Sequence, residues 1–190
     1  MTSGNFKVVL DACALIPPSL CDLLLRLAEP PRLYRPQWTE AILDEVRRNQ
    51  VLKIGFRQER ADSWRHEVAR HFPEAMVTRY QPYEDGLTIS PKDRHVLAAA
   101  IRCEADLIVT FNIRHFPSEA LAPFDVEAMS PGAFLTCLYE IRPQVVLAKL
   151  DDIARDRSRT RDEVLSRLDR LVPRFAQAVA ADLDIPLDRA

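Results

Sequence analysis

The stretch Phe6-Lys7-Val8-Val9-Leu10-Asp11 decides how the rest of the chain is read. Val8, Val9 and Leu10 form an unbroken apolar run, the pattern of a parallel strand covered on both faces rather than of a strand with one wet side. A carboxylate at the tip of such a strand is costly unless an arginine, a helix N-terminus or a cation answers it. Ligands of open α/β sheets bind beyond the carboxyl ends of the strands, so Asp11 stands where chemistry is done.

A second run of the same character, Leu107 to Thr110, leads into Asn112. Weaker candidates for strands are Leu33 to Arg35, Met76 to Tyr80 and Phe124 to Met129. Between them the apolar spacing turns helical. Leu20, Leu23, Leu24 and Leu27 mark a helix from Ser19 to Ala28, entered through Pro17 and Pro18. Thr39 can cap a helix carrying Ile42, Leu43 and Val46, with Glu45 near one edge of that stripe. Gly55 to His71 reads as a charged surface helix. Ser90, Pro91 and Asp93 combine three start signals for a helix running to Cys103. Alternation of strand and helix implies right-handed parallel crossovers and an open α/β sheet flanked by helices. After Ser130 and Pro131 no strand follows: a helix interrupted at Pro143, then Val145 to Ala154 and Thr160 to Leu183, form a helical appendage. The expected division is an α/β domain over residues 1–141 and a helical C-terminal extension over residues 142–190.

Composition narrows the function classes. A hydrophobic share of 47% beside 28% charged residues is that of a globular chain, which excludes wholesale disorder. No segment is apolar for long enough to span a bilayer, and no basic stretch followed by an apolar one opens the chain, so a cytoplasmic protein without membrane attachment is expected. Cys13, Cys21, Cys103 and Cys137 show neither a C-x-x-C pair nor a zinc rhythm with the histidines and are read as reduced thiols on core or helix faces. A net charge of −2 leaves nucleic-acid binding to local basic patches. Such patches are offered by the arginines and lysine between Arg47 and Arg70, with Phe56 and Trp64 among them, and by Arg155, Arg157, Arg159 and Arg161.

Four stations at the edges of apolar runs, Asp11, Glu45, Asp93 and Asn112, carry oxygen ligands without histidine or cysteine, the donor set of a hard cation such as Mg²⁺ or Mn²⁺. Their order, with Asp11-Ala12-Cys13 after the first strand, Asp44-Glu45-Val46 on a helix, Lys92-Asp93-Arg94-His95 before Val96-Leu97-Ala98, and the run Ala105 to Asn112, resembles a PIN-domain nuclease. The VapC-type toxins of bacterial toxin-antitoxin pairs are the nearest group, and the match extends from about Phe6 to Met129. The resemblance implies a metal-dependent endoribonuclease that hydrolyses RNA phosphodiesters through a cation-activated water, with an RNA substrate and a cognate antitoxin as its expected partners. It also selects Glu45 over Glu40 and Asp44 on the same helix. RNA, the antitoxin or a second copy of the chain (a homodimer) are the open alternatives for what the C-terminal tail binds.

Competing readings attach to each station. Asp93 stands three residues after Ser90, where a capping-box acid belongs, and a first-turn acid can equally face a cation. Asn112 replaces the acid often found at its station; its amide oxygen still binds a hard cation but removes a charge, leaving one metal or two as open alternatives. Thr110 and Ser90 are minor candidates, and Arg94, His95, Arg114 and His115 could hold phosphate or stack on a base. The function that rivals a nuclease is a non-catalytic RNA-binding or regulatory scaffold with a decayed site. A haloacid-dehalogenase phosphohydrolase needs a second acid two residues after its nucleophile, where this chain has Cys13.

Overall fold

A computed structural model describes residues 6–187; the outermost residues of both expected domains, 1–5 and 188–190, lie outside it. Four strands, β1 (Lys7–Leu10), β2 (Arg35–Gln37), β3 (Leu107–Val109) and β4 (Glu127–Met129), form one sheet in the order β2-β1-β3-β4. Every pairing is parallel. The expected open α/β sheet flanked by helices is what the chain forms. Register fixes the site: Leu10 stands opposite Val109, so Asp11 and Thr110 leave the sheet side by side. β1 connects onward to β2 on one flank and β3 to β4 on the other. Diverging connections of this kind open a crevice at the carboxyl ends of the two middle strands.

Two strand expectations shift and one fails. β2 lies two residues later than Leu33 to Arg35 because Arg35 N–H donates to Phe6 O at 2.9 Å. Pro36, lacking an N–H, then faces the outer edge, where it forfeits no ladder bond. Met76 to Tyr80 is no strand. It makes a single bridge to Trp38, and Arg79 turns into the left-handed region at φ 58°. β4 begins at Glu127 and not at Phe124, because Phe124 ends a 3-10 turn and Asp125 takes φ 54°.

The helices are α1 (Ala12–Leu15), α2 (Pro18–Ala28), α3 (Glu40–Leu52), α4 (Gln58–His71), α5 (Arg94–Cys103), α6 (Ser118–Leu121), α7 (Pro131–Ile141), α8 (Pro143–Asp156), α9 (Arg161–Asp169) and α10 (Pro173–Asp182). α3 starts as the sequence predicts, the Thr39 hydroxyl accepting Ile42 N–H at 3.1 Å. α7 likewise starts under Ser130, whose hydroxyl accepts Ala133 N–H. The expected single helix from Thr160 to Leu183 is two. Thr160 and Glu163 close a reciprocal capping box on α9, and Pro173 begins α10 at a position where its missing N–H costs nothing.

The chain forms two compact units. One holds Met1–Pro17 and Tyr34–Met129, the other Pro18–Leu33 and Ser130–Ala190. In the first, α5 packs on β1, β2 and β3, and α3 packs on α1 and α4. In the second, α2 packs on α8 and α9, and α10 on α7 and α9. The expected boundary at residue 141 falls inside the second unit, between α7 and α8. That unit also takes in α2, whose Asp22 accepts from Arg26 at 2.7 Å and from Arg157 at 2.9 Å. No described helix is long and apolar enough to cross a membrane.

Candidate active site

Asp11 ends β1 in an extended conformation, φ −65° and ψ 149°, and precedes the single turn of α1. Its backbone N–H donates to Val109 O at 3.0 Å, which carries the pairing with β3 one residue past the end of β1. The carboxylate does not cap α1. It turns instead to β3, where the fully buried Thr110 hydroxyl donates to Oδ2 at 2.6 Å. Cys13 Sγ donates to the same oxygen at 3.0 Å. A hydroxyl and a thiol have one proton each, so with both spent on Asp11 the 3.3 Å approach of Sγ to Thr110 Oγ1 is a packing contact. Thr110 Oγ1 in turn accepts Asn112 N–H at 3.0 Å, and Cys13 Sγ accepts Phe111 N–H at 3.2 Å. Only 9% exposed, Asp11 is thus held by donors that reach its charged form, which makes its burial tolerable.

Burial first, and then the neighbouring Asp11 charge, pushes the Cys13 thiol up to about 12. Cys13 is therefore a neutral donor at ordinary pH and not a nucleophile. The sequence offers Cys13 as a core or helix-face thiol and Thr110 as a minor candidate; the structure joins both to Asp11. A signal existed in the alignment of the two runs, since a polar residue follows Val8-Val9-Leu10 and Leu107-Ile108-Val109 at the same register.

Asp93 occupies the N-cap position of α5, but its carboxylate makes no cap hydrogen bond. Asp93 N–H donates to Ser90 O at 2.9 Å, so residues 90–93 form a turn and the helix proper begins at Arg94. Ser90 is exposed and caps nothing, which removes the capping-box reading of this segment. Asp93 Oδ2 faces His115 Nδ1 at 3.3 Å, with the two side chains 16% and 21% exposed. That separation suits an ion pair, yet both atoms are buried without a hydrogen bond. His115 lies on the turn after Asn112, its N–H donating to Asn112 O at 2.8 Å. The segment 110–115 therefore touches Asp11 at one end and Asp93 at the other.

On α3 the three acids separate cleanly. Asp44 accepts from Arg65 of α4 at 2.7 Å and Glu40 stands 3.5 Å from the same guanidinium. Glu45 is half-buried, and among the described residues its carboxylate has no hydrogen bond or ion pair. It is not joined to Asp11, Asp93 or Asn112 by any such bond either. The Asn112 side-chain amide, also half-buried, has no hydrogen bond among the described residues. Much of the basic middle segment is spoken for: Arg47 pairs with Asp62, Arg65 with Asp44, and Arg70 with Glu67. Arg60 lies over the Phe56 ring, 3.8 Å from its centroid.

The side chains at the four stations offer only oxygen to a cation, without histidine or cysteine, so the residues fit a hard divalent cation. Asp11 and Asp93, with Glu45 and the Asn112 amide oxygen, are the groups that would hold it. Among the described residues no three His, Cys, Asp or Glu side chains converge into a ready ligand set. Mg²⁺ commonly takes only one or two carboxylates and completes its shell with water and phosphate oxygens.

The all-parallel sheet flanked by helices, with an acid at its switch point and a second acid at the start of the helix before β3, is consistent with the expected PIN-like fold. The comparison with curated proteins agrees. The chain is 43% identical over 88 residues to "Putative ribonuclease VapC50" of Mycobacterium tuberculosis, which covers 45% of this chain and 52% of that protein. The resemblance to VapC-type PIN nucleases is thereby borne out, with the chain spanning about half the length of the relative it matches. No family model matches the chain. No solved structure matches it either.

Proposed function

We propose that the protein is an endoribonuclease that hydrolyses RNA phosphodiesters with a bound Mg²⁺ or Mn²⁺ ion and acts in the cytoplasm as the toxin of a toxin-antitoxin pair. The observation that carries this reading is the Asp11 carboxylate, buried at the sheet's switch point and oriented by Thr110 and Cys13. When bound, the cation would neutralise charge on the scissile phosphate and polarise the attacking water. Asp11 and Asp93 would hold it, Glu45 would supply the unpaired acid on α3, and Asn112 would offer a neutral oxygen. Thr110 and Cys13 keep Asp11 from turning away. RNA as substrate is supported by the likeness to the curated ribonuclease, an antitoxin as partner is what the resemblance to VapC-type toxins implies, and a second copy of the chain is a further expected partner.

The rival reading, a non-catalytic RNA-binding scaffold, is favoured by one observation: Asn112 carries no charge where an acid would add one. Purified protein incubated with total RNA, with and without EDTA, separates the two. Cleavage is expected, stopped by EDTA, and Asp11→Asn should lower the single-turnover rate by about a hundredfold or more, some 2.7 kcal/mol of barrier. Retained RNA binding with no cleavage in any metal would establish the scaffold instead.

A further inference from the structure

We propose that His115 is a positioning residue that holds the Asp93 carboxylate in its cation-binding orientation, an inference that rests on the reading of Asp93 as a ligand. Two buried polar atoms, Asp93 Oδ2 and His115 Nδ1, face each other at 3.3 Å, and neither has a hydrogen bond elsewhere. Leaving both unsatisfied is unfavourable on each side, whereas a modest rotation of the imidazole that aims the ring N–H at the carboxylate closes an Nδ1–H···Oδ2 bond in the tautomer protonated at Nδ1. The bond would engage one carboxylate oxygen and leave the other free. Ligating carboxylates are commonly fixed in this way by an outer partner.

Where His115 comes from gives the contact a purpose. Its ring is carried by the turn that begins at Asn112, and that turn is tied to Thr110, whose hydroxyl fixes Asp11. Asp93 belongs to a different element, the start of α5. His115 therefore sets one acid from the same segment that sets the other, so the two carboxylates from separate elements share a single frame.

Calorimetric titration of the full chain with MnCl₂, in the absence of RNA, tests this on the wild type, Asp93→Asn, His115→Asn and His115→Leu. Asparagine places its amide nitrogen where Nδ1 stands; leucine fills the space without a donor. Expected are a tenfold or greater loss of Mn²⁺ affinity in His115→Leu and a loss of no more than about threefold in His115→Asn, with equal melting temperatures. Should the leucine variant fail to fold, His115→Gln replaces it, since its amide reaches the place of Nε2 and loses the Asp93 contact. Wild-type affinity in the donor-free variant, or equal losses in all variants of His115, overturns the proposal while leaving Asp93 as a ligand. A wild type that binds no Mn²⁺, or an Asp93→Asn variant that binds as tightly, overturns the underlying reading as well.

Discussion

Asp11 Oδ2 accepts from a hydroxyl at 2.6 Å and from a thiol at 3.0 Å, and the thiol bears the cost. The folded protein favours the neutral form of Cys13, because burial and the adjacent Asp11 charge push its thiol from the ordinary 9.0 up to about 12. The sign follows from linkage: this stabilisation is complete below about pH 9 and is lost as pH rises from there toward 12. At pH 8 iodoacetamide should label Cys13 far more slowly than an unstructured peptide thiol, as peptide mass spectrometry would report. Asp11→Asn removes the neighbouring charge but leaves burial, the largest cause, in place and should speed labelling modestly. Rapid labelling of Cys13 in the folded wild type would contradict the network. At this scale Asp11 was legible because a strand-end acid after an apolar run has few other reasons to exist. Cys13 and His115 were not: only the meeting of β1 and β3 brings Thr110 and Phe111 to Cys13, and only the fold brings Asp93 to His115.

The acids of α3 show what an element adds to a residue. Three carboxylates on one helix look alike in sequence, and only the packing of α4 tells them apart by engaging Asp44 and Glu40 with Arg65. Glu45→Gln should accordingly lower single-turnover cleavage by about tenfold or more, and Glu40→Gln should stay within about twofold. Equal damage from both would assign the wrong acid on α3. Element boundaries were legible where a local signal decided them: the Thr39 and Ser130 caps, the Pro143 break and the two buried strands all fell as the sequence predicts. They were misplaced where tertiary geometry decided. β2 slid past Leu33 because its open edge accepts Pro36, and the Ser90 start gave way to a turn that delivers Asp93.

At the scale of the molecule, three of the four arginines in the tail's Arg155–Arg161 run are paired with carboxylates. Arg155 pairs with Asp152, Arg157 with Asp22, and Arg161 binds Asp151 through two bonds of 2.7 and 2.6 Å. These contacts serve the second unit, where the sequence alone left open whether the same arginines meet RNA. Replacing Arg155, Arg157, Arg159 and Arg161 together by Gln should leave RNA affinity and its salt slope unchanged while lowering the melting temperature. A slope reduced by two or more would show phosphate contacts instead. The helical tail was legible as helices. Its union with α2 was not, because that pairing is made by contacts between residues more than a hundred positions apart.

The central claim is that an external water, and not the ribose 2′-hydroxyl, attacks the phosphorus, with Asp11 and Asp93 holding the ion that assists it. Mapping the ends of the cleaved RNA tests that most directly. A 5′-phosphate and a 3′-hydroxyl at each cut, absent with Asp11→Asn, is the predicted result; 2′,3′-cyclic phosphate ends, or cutting that persists in excess EDTA, would contradict it.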